Sequence, residues 1–345
     1  MPRFSIVIVT WNALSHLKTY LPSVAATEHD SYEIVIADNH STDGTASWVR
    51  NHYPEARLAR FDDNYGYCGG NNRAVPYTKG EILIFLNNDV AVEPDWLDAL
   101  DRAFRERPET AALQPKIRSY REPRQFEYAG AAGGHLDRYG YPFCRGRIFD
   151  MVEEDRGQYD QPAPVFWASG AALAVRRDCF GEAGGFDEDF EFHMDEIDLC
   201  WRLWRRGWEV RCEPGSVVYH LGGGSLPMDS PRKVYYNYRN SLFMLWKNYS
   251  TAALCTRLPV RVGLDKIAAL RALLQGNTRE FGAIVRAYRD FLGQLAHVHR
   301  KRRDLRAAGL PTADPPVLQP FSVVWSYFVS GRRTYADLPT SRPGS

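Results

Sequence analysis

Hydrophobic positions along the first third of the chain change period in a regular way. Residues 5–9 form an apolar, β-branched run. Residues 32–37 form a second run ending at Asp38, and 82–86 a third made only of hydrocarbon side chains. Residues 57–60 are a weaker fourth. Between them, 14–26, 42–52 and 71–78 carry helical spacing, the second entered through the turn Ser41-Thr42-Asp43-Gly44. Buried runs alternating with helices predict an α/β fold, a parallel sheet covered on both faces. Ligands of such sheets bind beyond the carboxyl ends of the strands. The polar clusters Thr10-Trp11-Asn12, Asp38-Asn39 and Asn87-Asn88-Asp89 fall there.

Farther along, 94–107 reads as a helix. Residues 119–164, rich in Gly, Tyr and Arg, read as a long excursion over the site with short strands. Residues 166–176 return to strand character and 195–206 to a helix. Residues 208–212 and 217–220 suggest a hairpin around Glu213-Pro214-Gly215-Ser216. From 231 to 308 the spacing is that of amphipathic helices, followed by a Pro-rich tail. The chain thus divides into 1–248, holding every polar cluster, and a helical extension with its tail, 249–345.

Composition narrows the classes. With 44% hydrophobic and 25% charged residues in 345, the chain is neither disordered nor a coiled coil. A net charge of +1 gives no global field for nucleic acid. Locally, the stretch after Ser250 carries an excess of roughly nine positive charges, densest from Arg300 to Arg306. Six cysteines without C-x-x-C spacing offer no zinc motif, and a reducing cytosol is the simplest setting. The first twelve residues read as a strand rather than a signal peptide, and no apolar run reaches the length of a membrane span. The expectation is a cytoplasmic protein that can rest on a membrane without crossing it.

Five constellations carry candidate chemistry. Asp38, at a strand end, can accept hydrogen bonds from a base or ribose; a helix cap accounts for the following Ser41 and Asp43. The Gly-rich stretch from Asn64 through Gly69 to Asn71 lets backbone approach an anion at a helix start, yet it has neither Walker nor dinucleotide spacing. Asn87, Asn88 and Asp89 end a hydrocarbon strand, and Asp89 suits Mg²⁺ or Mn²⁺; a polar turn is the bland alternative. Asp195, Glu196 and Asp198 crowd three carboxylates into four positions. Asp198 can pair with Arg202 four residues on, leaving Glu196 or Asp195 as a general base whose neighbours raise its pKa. An acidic helix start explains Asp195 nearly as well. His220, before Gly222, Gly223 and Gly224, can ligate a metal beside a mobile loop, although a lone histidine is more often structural.

In this order the motifs resemble glycosyltransferase family 2, of GT-A type, and its bacterial rhamnosyltransferase-like branch. SIVIVTWN (5–12), ADNHSTDGT (37–45), DNYGYCGGNN (63–72), LNNDV (86–90), HMDEIDLCWR (193–202) and VYHLGGGS (218–225) carry the resemblance. It implies a GT-A mixed, mostly parallel sheet with flanking helices, plus the C-terminal helical extension. It also implies a nucleotide-sugar donor held by Thr10, Asn12, Asp38, Asn64, Gly69, Asn71, Asn87 and Asn88. Asp89 and His220 would hold Mg²⁺ or Mn²⁺, with Asn87 standing in the first acidic slot of a D-x-D motif. Glu196 takes the base position, where the family usually has Asp, so Asp195 is the alternative. The implied reaction is an inverting single displacement, with L-rhamnose from dTDP-rhamnose as the leading donor and a glycan or lipid-linked saccharide as acceptor.

Trp167, Ser169 and Gly170 are candidate acceptor contacts, and a core Trp accounts for Trp167 equally well. Tyr236, Arg239 and Asn240 can reach a diphosphate or simply pack. The basic, amphipathic C-terminal helices can lie on an anionic membrane. Docking on the catalytic part, or on a second subunit of a homo-oligomer, serves as well. A nucleotidyltransferase would need a Gly-rich basic loop near the N-terminus, and a processive synthase membrane spans; neither is present. A non-catalytic nucleotide-sugar or glycan-binding protein remains the alternative.

Overall fold

The structure is a computed structural model that describes residues 1–222 and 230–339. Its strands are β1 (Phe4–Thr10), β2 (Tyr32–Asp38), β3 (Arg57–Arg60), β4 (Ile82–Leu86), β5 (Val90–Val92), β6 (Thr110–Ser119), β7 (Gly134–Leu136), β8 (Pro142–Cys144), β9 (Arg147–Ile148), β10 (Met151–Val152), β11 (Ala163–Pro164), β12 (Ala172–Arg176) and β13 (Glu209–His220). The helices are α1 (Leu14–Ala25), α2 (Thr45–His52), α3 (Gly66–Ala74), α4 (Trp96–Glu106), α5 (Arg177–Glu182), α6 (Asp195–Trp204), α7 (Pro231–Asn248), α8 (Thr251–Thr256), α9 (Leu258–Leu274), α10 (Thr278–Gly293), α11 (Leu295–Ala307) and α12 (Val323–Phe328).

Among the described residues one sheet runs β11-β13-β6-β12-β4-β1-β2-β3, with β5 on β13, and β7–β10 form a small second sheet. β4, β1, β2 and β3 pair in parallel, whereas β12 runs antiparallel to β4 and β6. This is the mixed α/β sheet of a GT-A fold. Alternate residues of β1 and β4 feed opposite cores: Ile6, Ile8, Ile84 and Leu86 meet Leu17 and Leu21 of α1 and Trp96 and Leu100 of α4. Val7, Leu83 and Phe85 face a second cluster with α6 and α7. Two buried faces explain why these strands read as unbroken hydrocarbon rather than as an alternation.

Three expectations need correction. The hairpin at 208–220 is a single strand, β13, parallel to β6 along its whole length. Pro214 and Gly215 sit in an irregularity between Glu213 and Val217 that the ladder absorbs as a bulge, so turn-forming residues here do not turn the chain. Strand character begins at Ala172 rather than 166, because the Phe166 amide and Trp167 carbonyl bond Gly134 instead of a sheet neighbour. The helix expected at 71–78 starts five residues earlier, at Gly66. β6 itself was not anticipated.

The C-terminal helices share the catalytic core. Phe291 of α10 and Val298 of α11 join the cluster that contains Phe243 and Leu245 of α7. Among the described residues no helix is long and apolar enough to cross a membrane.

A buried ionic hub joins α6 to α7. Asp198, fully buried, accepts from Arg202 Nε at 2.9 Å, Lys247 Nζ at 2.7 Å and Asn248 Nδ2 at 2.8 Å. Lys247 also reaches Asp187 at 2.5 Å. Removing one member of a buried set strands the remaining charges. Asp198→Ala is therefore expected to cost about 3 kcal/mol or more in urea unfolding followed by Trp fluorescence. Arg156→Ala, in an exposed pair with Glu154, should stay within about 0.5 kcal/mol. Equal midpoints for the two would remove the hub's anchoring role.

Candidate active site

The site lies where β1, β2 and β4 end. At the end of β2, Asp38 is fully buried; its Oδ1 accepts from the Ser41 amide at 2.9 Å, and its Oδ2 has no hydrogen-bond partner. The Arg60 guanidinium lies 3.6 Å from that oxygen. Beside it, Asn39 gives Nδ2 to the Gly66 carbonyl at 2.9 Å while its own carbonyl oxygen is unpartnered. Two buried acceptors without donors at one strand end cost free energy unless a ligand supplies the donors. Asn12, in a left-handed conformation, accepts from the Thr42 amide at 2.8 Å and ties the end of β1 to this loop. Asp43 supplies the helix starts, accepting from the Leu14 amide at 2.9 Å and the Thr45 amide at 3.1 Å. Within the motif Asp43 thus takes the first amides of α1 and α2, while Asp38 keeps one buried oxygen without a hydrogen-bond partner.

At the end of β4, Asn88 lies 3.4 Å from the Thr10 hydroxyl. Asp89 Oδ1 sits 3.1 Å from His220 Nε2, at the end of β13, and Asn87 Nδ2 is 3.4 Å from the same nitrogen. β5 pairs with β13 with Val90 opposite His220, and this register brings the two residues together. On the far side of the ring, Glu127 Oε2 lies 3.3 Å from Nδ1. Burial disfavours the imidazolium, yet the Glu127 and Asp89 carboxylates outweigh it and push His220 up to about 10. Burial likewise raises Asp89, and the hydrogen bond and charge of His220 reverse this and hold it below the usual carboxylate range. Glu127, in the loop of the 119–164 excursion, is a site residue that the sequence did not single out.

One carboxylate oxygen and one imidazole nitrogen converge here. Among the described residues no cluster of three or more His, Cys, Asp or Glu could hold a metal. A divalent cation here would have Asp89 and His220 as its protein ligands and would need its remaining ligands from phosphate oxygens and water.

The third centre is the start of α6. Asp195 is buried and Glu196 partly exposed, and the two carboxyls share a hydrogen bond. Burial first, and the Asp195 charge second, push Glu196 well up. Burial is also the largest influence on Asp195, which rises to about 6. Burial and the neighbouring carboxylate thus act in the same direction on Glu196. The Cys68 thiol, beneath Asp195, donates to the Phe190 carbonyl at 3.0 Å.

Not every candidate reaches these centres. Asn64 accepts from the Gly66 amide at 3.0 Å, and Asn71 donates to the Tyr67 carbonyl at 3.1 Å, both local to α3. A Cβ at Gly69 would meet Tyr65 and Arg73 at 2.9 Å, whereas one at Gly70 would meet Asn39 Nδ2 at 2.7 Å. Gly70 is thus the glycine that lets α3 close on the site. Trp167 is buried, its indole donating to the His135 carbonyl at 3.0 Å. Ser169 bonds the Ala129 carbonyl, and Gly170 accepts from the Tyr67 hydroxyl at 2.7 Å. Arg239 and Asn240 bond the carbonyls of Asp189, Phe192 and His193 and so brace the segment before α6. Gly223, Gly224 and Ser225 lie outside the described residues.

Comparison with known proteins agrees with this geometry. Residues 5–180 match the model of glycosyl transferase family 2. An N-acetylglucosaminyl-diphospho-decaprenol L-rhamnosyltransferase of Mycobacterium tuberculosis is 30% identical over 286 residues, 78% of this chain and 91% of that protein. S. aureus TarS 1–349 in complex with UDP-GlcNAc superposes with a TM-score of 0.56 at 16% identity, over 90% of this chain and 87% of that one. GalNAc-T7 with UDP, GalNAc and Mn²⁺ gives 0.56 at 18% identity, over 73% and 49%. The structures establish the fold, and the sequence matches establish the family. The chain belongs to glycosyl transferase family 2, in its rhamnosyltransferase-like branch, and is a glycosyltransferase.

Proposed function

We propose that the chain transfers L-rhamnose from dTDP-rhamnose to a lipid-linked saccharide by a single in-line displacement with inversion. The donor and acceptor classes follow the Mycobacterium tuberculosis relative. The observation that carries the chemistry is the separation of two carboxylate centres. Asp89 pairs with His220 at the strand ends, and Asp195 and Glu196 lie side by side at the start of α6.

In this reading the imide N–H of thymine supplies the donor that Asp38 Oδ2 lacks, with the Arg60 side chain moving aside. Thr10, Asn12, Asn87 and Asn88 line the path to the diphosphate, and Asn64, Gly69 and Asn71 set the α3 wall beside it. Asp89 and His220 would hold a divalent cation, which would supply positive charge against the diphosphate, and the carboxylate–imidazole set suits Mn²⁺ or Mg²⁺. Glu196, the more exposed of the dyad, takes the proton of the acceptor hydroxyl as its oxygen attacks the anomeric carbon. The nucleoside diphosphate leaves from the opposite face. Asp195 behind it sets the pKa of Glu196 by its charge. The Trp167–Gly170 segment, braced from below, forms the acceptor wall. A cytoplasmic location suits these substrates.

Two tests follow. With a panel of nucleotide sugars and Mn²⁺ or Mg²⁺, release of nucleoside diphosphate is expected from dTDP-rhamnose and is abolished by EDTA. Asp89→Ala should lower it by at least about 10²-fold. Release that persists at full rate in EDTA would remove the metal role.

The second test is the pH profile of transfer. Glu196 must be ionised to act, and its pKa is raised, so activity should climb with pH through an acid limb above the ordinary Glu range. Glu196→Gln should cost about 10²–10⁴-fold in kcat. Asp195→Asn removes the neighbouring negative charge, lowers the pKa of Glu196 and should move the limb to lower pH. Loss of activity in Asp195→Asn with retention in Glu196→Gln would assign the base to Asp195 instead.

A further inference from the structure

Two members of the densest basic run in the chain turn toward the protein, while Arg300, Arg303 and Arg306 are exposed. Arg302 is buried and donates to the Trp246 carbonyl at 2.7 Å, and Lys301 pairs with Asp189 at 2.5 Å and also with Asp187. On α10, Ile284 and Phe291 are buried as well. Most of the amphipathic pattern at 281–306 is therefore used to dock these helices on the catalytic core.

A different face is left open. On α9, Ile267 (65% exposed), Leu270 (54%) and Leu274 (79%) recur at helical spacing on one side. Arg271, exposed, lies among them, and its guanidinium stands 5.7 Å from the ring of Phe328 on α12. There Trp325 (63%), Phe328 (52%) and the following Val329 (61%) point outward. α12 itself is firmly held: Val323 and Tyr327 pack on Phe143 and Ile148 of the small sheet, and the Val323 amide donates to Asp137 at 2.9 Å. The outward side chains thus sit on a fixed platform. Ten of the fifteen large apolar residues found exposed among the described residues lie after Ser250, and six of them make this face.

We propose that the α9–α12 face is a docking surface for an anionic lipid leaflet. Its occupant follows from its charge. Arg271 stands 5.7 Å from the Phe328 ring and Arg333 3.9 Å from the Tyr327 ring, the exposed Lys266 precedes Ile267, and Arg332 precedes Arg333. Two carboxylates lie nearby, Asp150, which accepts from the Tyr327 hydroxyl at 2.7 Å, and Asp337, which accepts from the Thr334 hydroxyl at 2.7 Å, so these cations outnumber them. A second copy meeting this face about a two-fold axis would set the arginines against themselves. An anionic leaflet neutralises them and receives Trp and Phe at headgroup level. The face stands on its own geometry, and it deepens the lipid-linked acceptor reading by naming the surface that brings the enzyme to such a substrate.

The test is flotation of the full chain with vesicles of phosphatidylcholine alone or mixed with phosphatidylglycerol. Binding is expected to the mixed vesicles and to weaken as salt is raised. Leu270→Glu/Leu274→Glu should weaken it by more than about tenfold, and Arg271→Glu by about tenfold. Arg300→Glu/Arg303→Glu, exposed on α11, should leave it near wild type. Because every substituted side chain is exposed, unchanged thermal melting would show the variants folded. No flotation with the mixed vesicles would overturn the proposal. So would loss of flotation only in the α11 pair, or a lipid-free dimer that the α9 variants dissociate. Nucleoside diphosphate release from the free donor is read separately in each variant and should not change. A failed membrane face and a failed transferase reading therefore give different results.

Discussion

The position of the adjacent Asp195 and Glu196 carboxyls depends on a third carboxylate, fully buried beneath them. Asp198 lies one turn after Asp195 on α6 and is reached by Arg202, Lys247 and Asn248. Arg202 continues to the carbonyls of Ala183 and Gly185, and Lys247 to Asp187, which Lys301 of α11 also meets. A charge without solvent requires its partners, so α6, α7, α11 and the loop before α6 are held by one set of contacts. Arg239 and Asn240 add the backbone of 189–193 to it. The C-terminal extension is in this sense part of the site's scaffold.

With α6 fixed, its first turn can hold what an unconstrained helix start would shed into water. Asp195 and Glu196 are adjacent carboxyls, and Asp195 is buried over Tyr67 and Cys68 of α3. A helix N-terminus favours negative charge there, while burial works the other way and raises both groups. The balance leaves Glu196 raised, which suits a base that must take a proton from a hydroxyl.

Much of this was legible in the sequence, and the failures have a common cause. β1, β2 and β4 declared themselves because a strand buried on both faces reads as continuous hydrocarbon. The Asp198–Arg202 pair was legible because four residues on a helix fix a geometry. β6 was missed, and β13 was split at Pro214-Gly215, because both depend on pairing with each other across about a hundred residues, which local signals do not encode. Glu127 was invisible for the same reason. Nothing around it marks a site, and only the fold brings it behind His220. Asn64 and Asn71 were marked by a motif, and in the structure their side chains bond within the α3 segment.

The neutral Asn87 at the end of β4 is best understood together with Glu127. A second acid at position 87 would stand beside Asp89 and fill with negative charge the space that a diphosphate must enter. Here the second carboxylate stands behind the imidazole, where Glu127 meets Nδ1 and turns Nε2 toward Asp89. A carboxylate in that position fixes ring orientation and raises the basicity of the facing nitrogen. Glu127 is itself held by the Ala129 amide, and a Cβ at Gly222 would lie 2.5 Å from its Oε1. The chain leaving β13 must therefore be bare at this point for His220 and Glu127 to meet. That requirement gives a physical reason for a glycine two residues after the histidine.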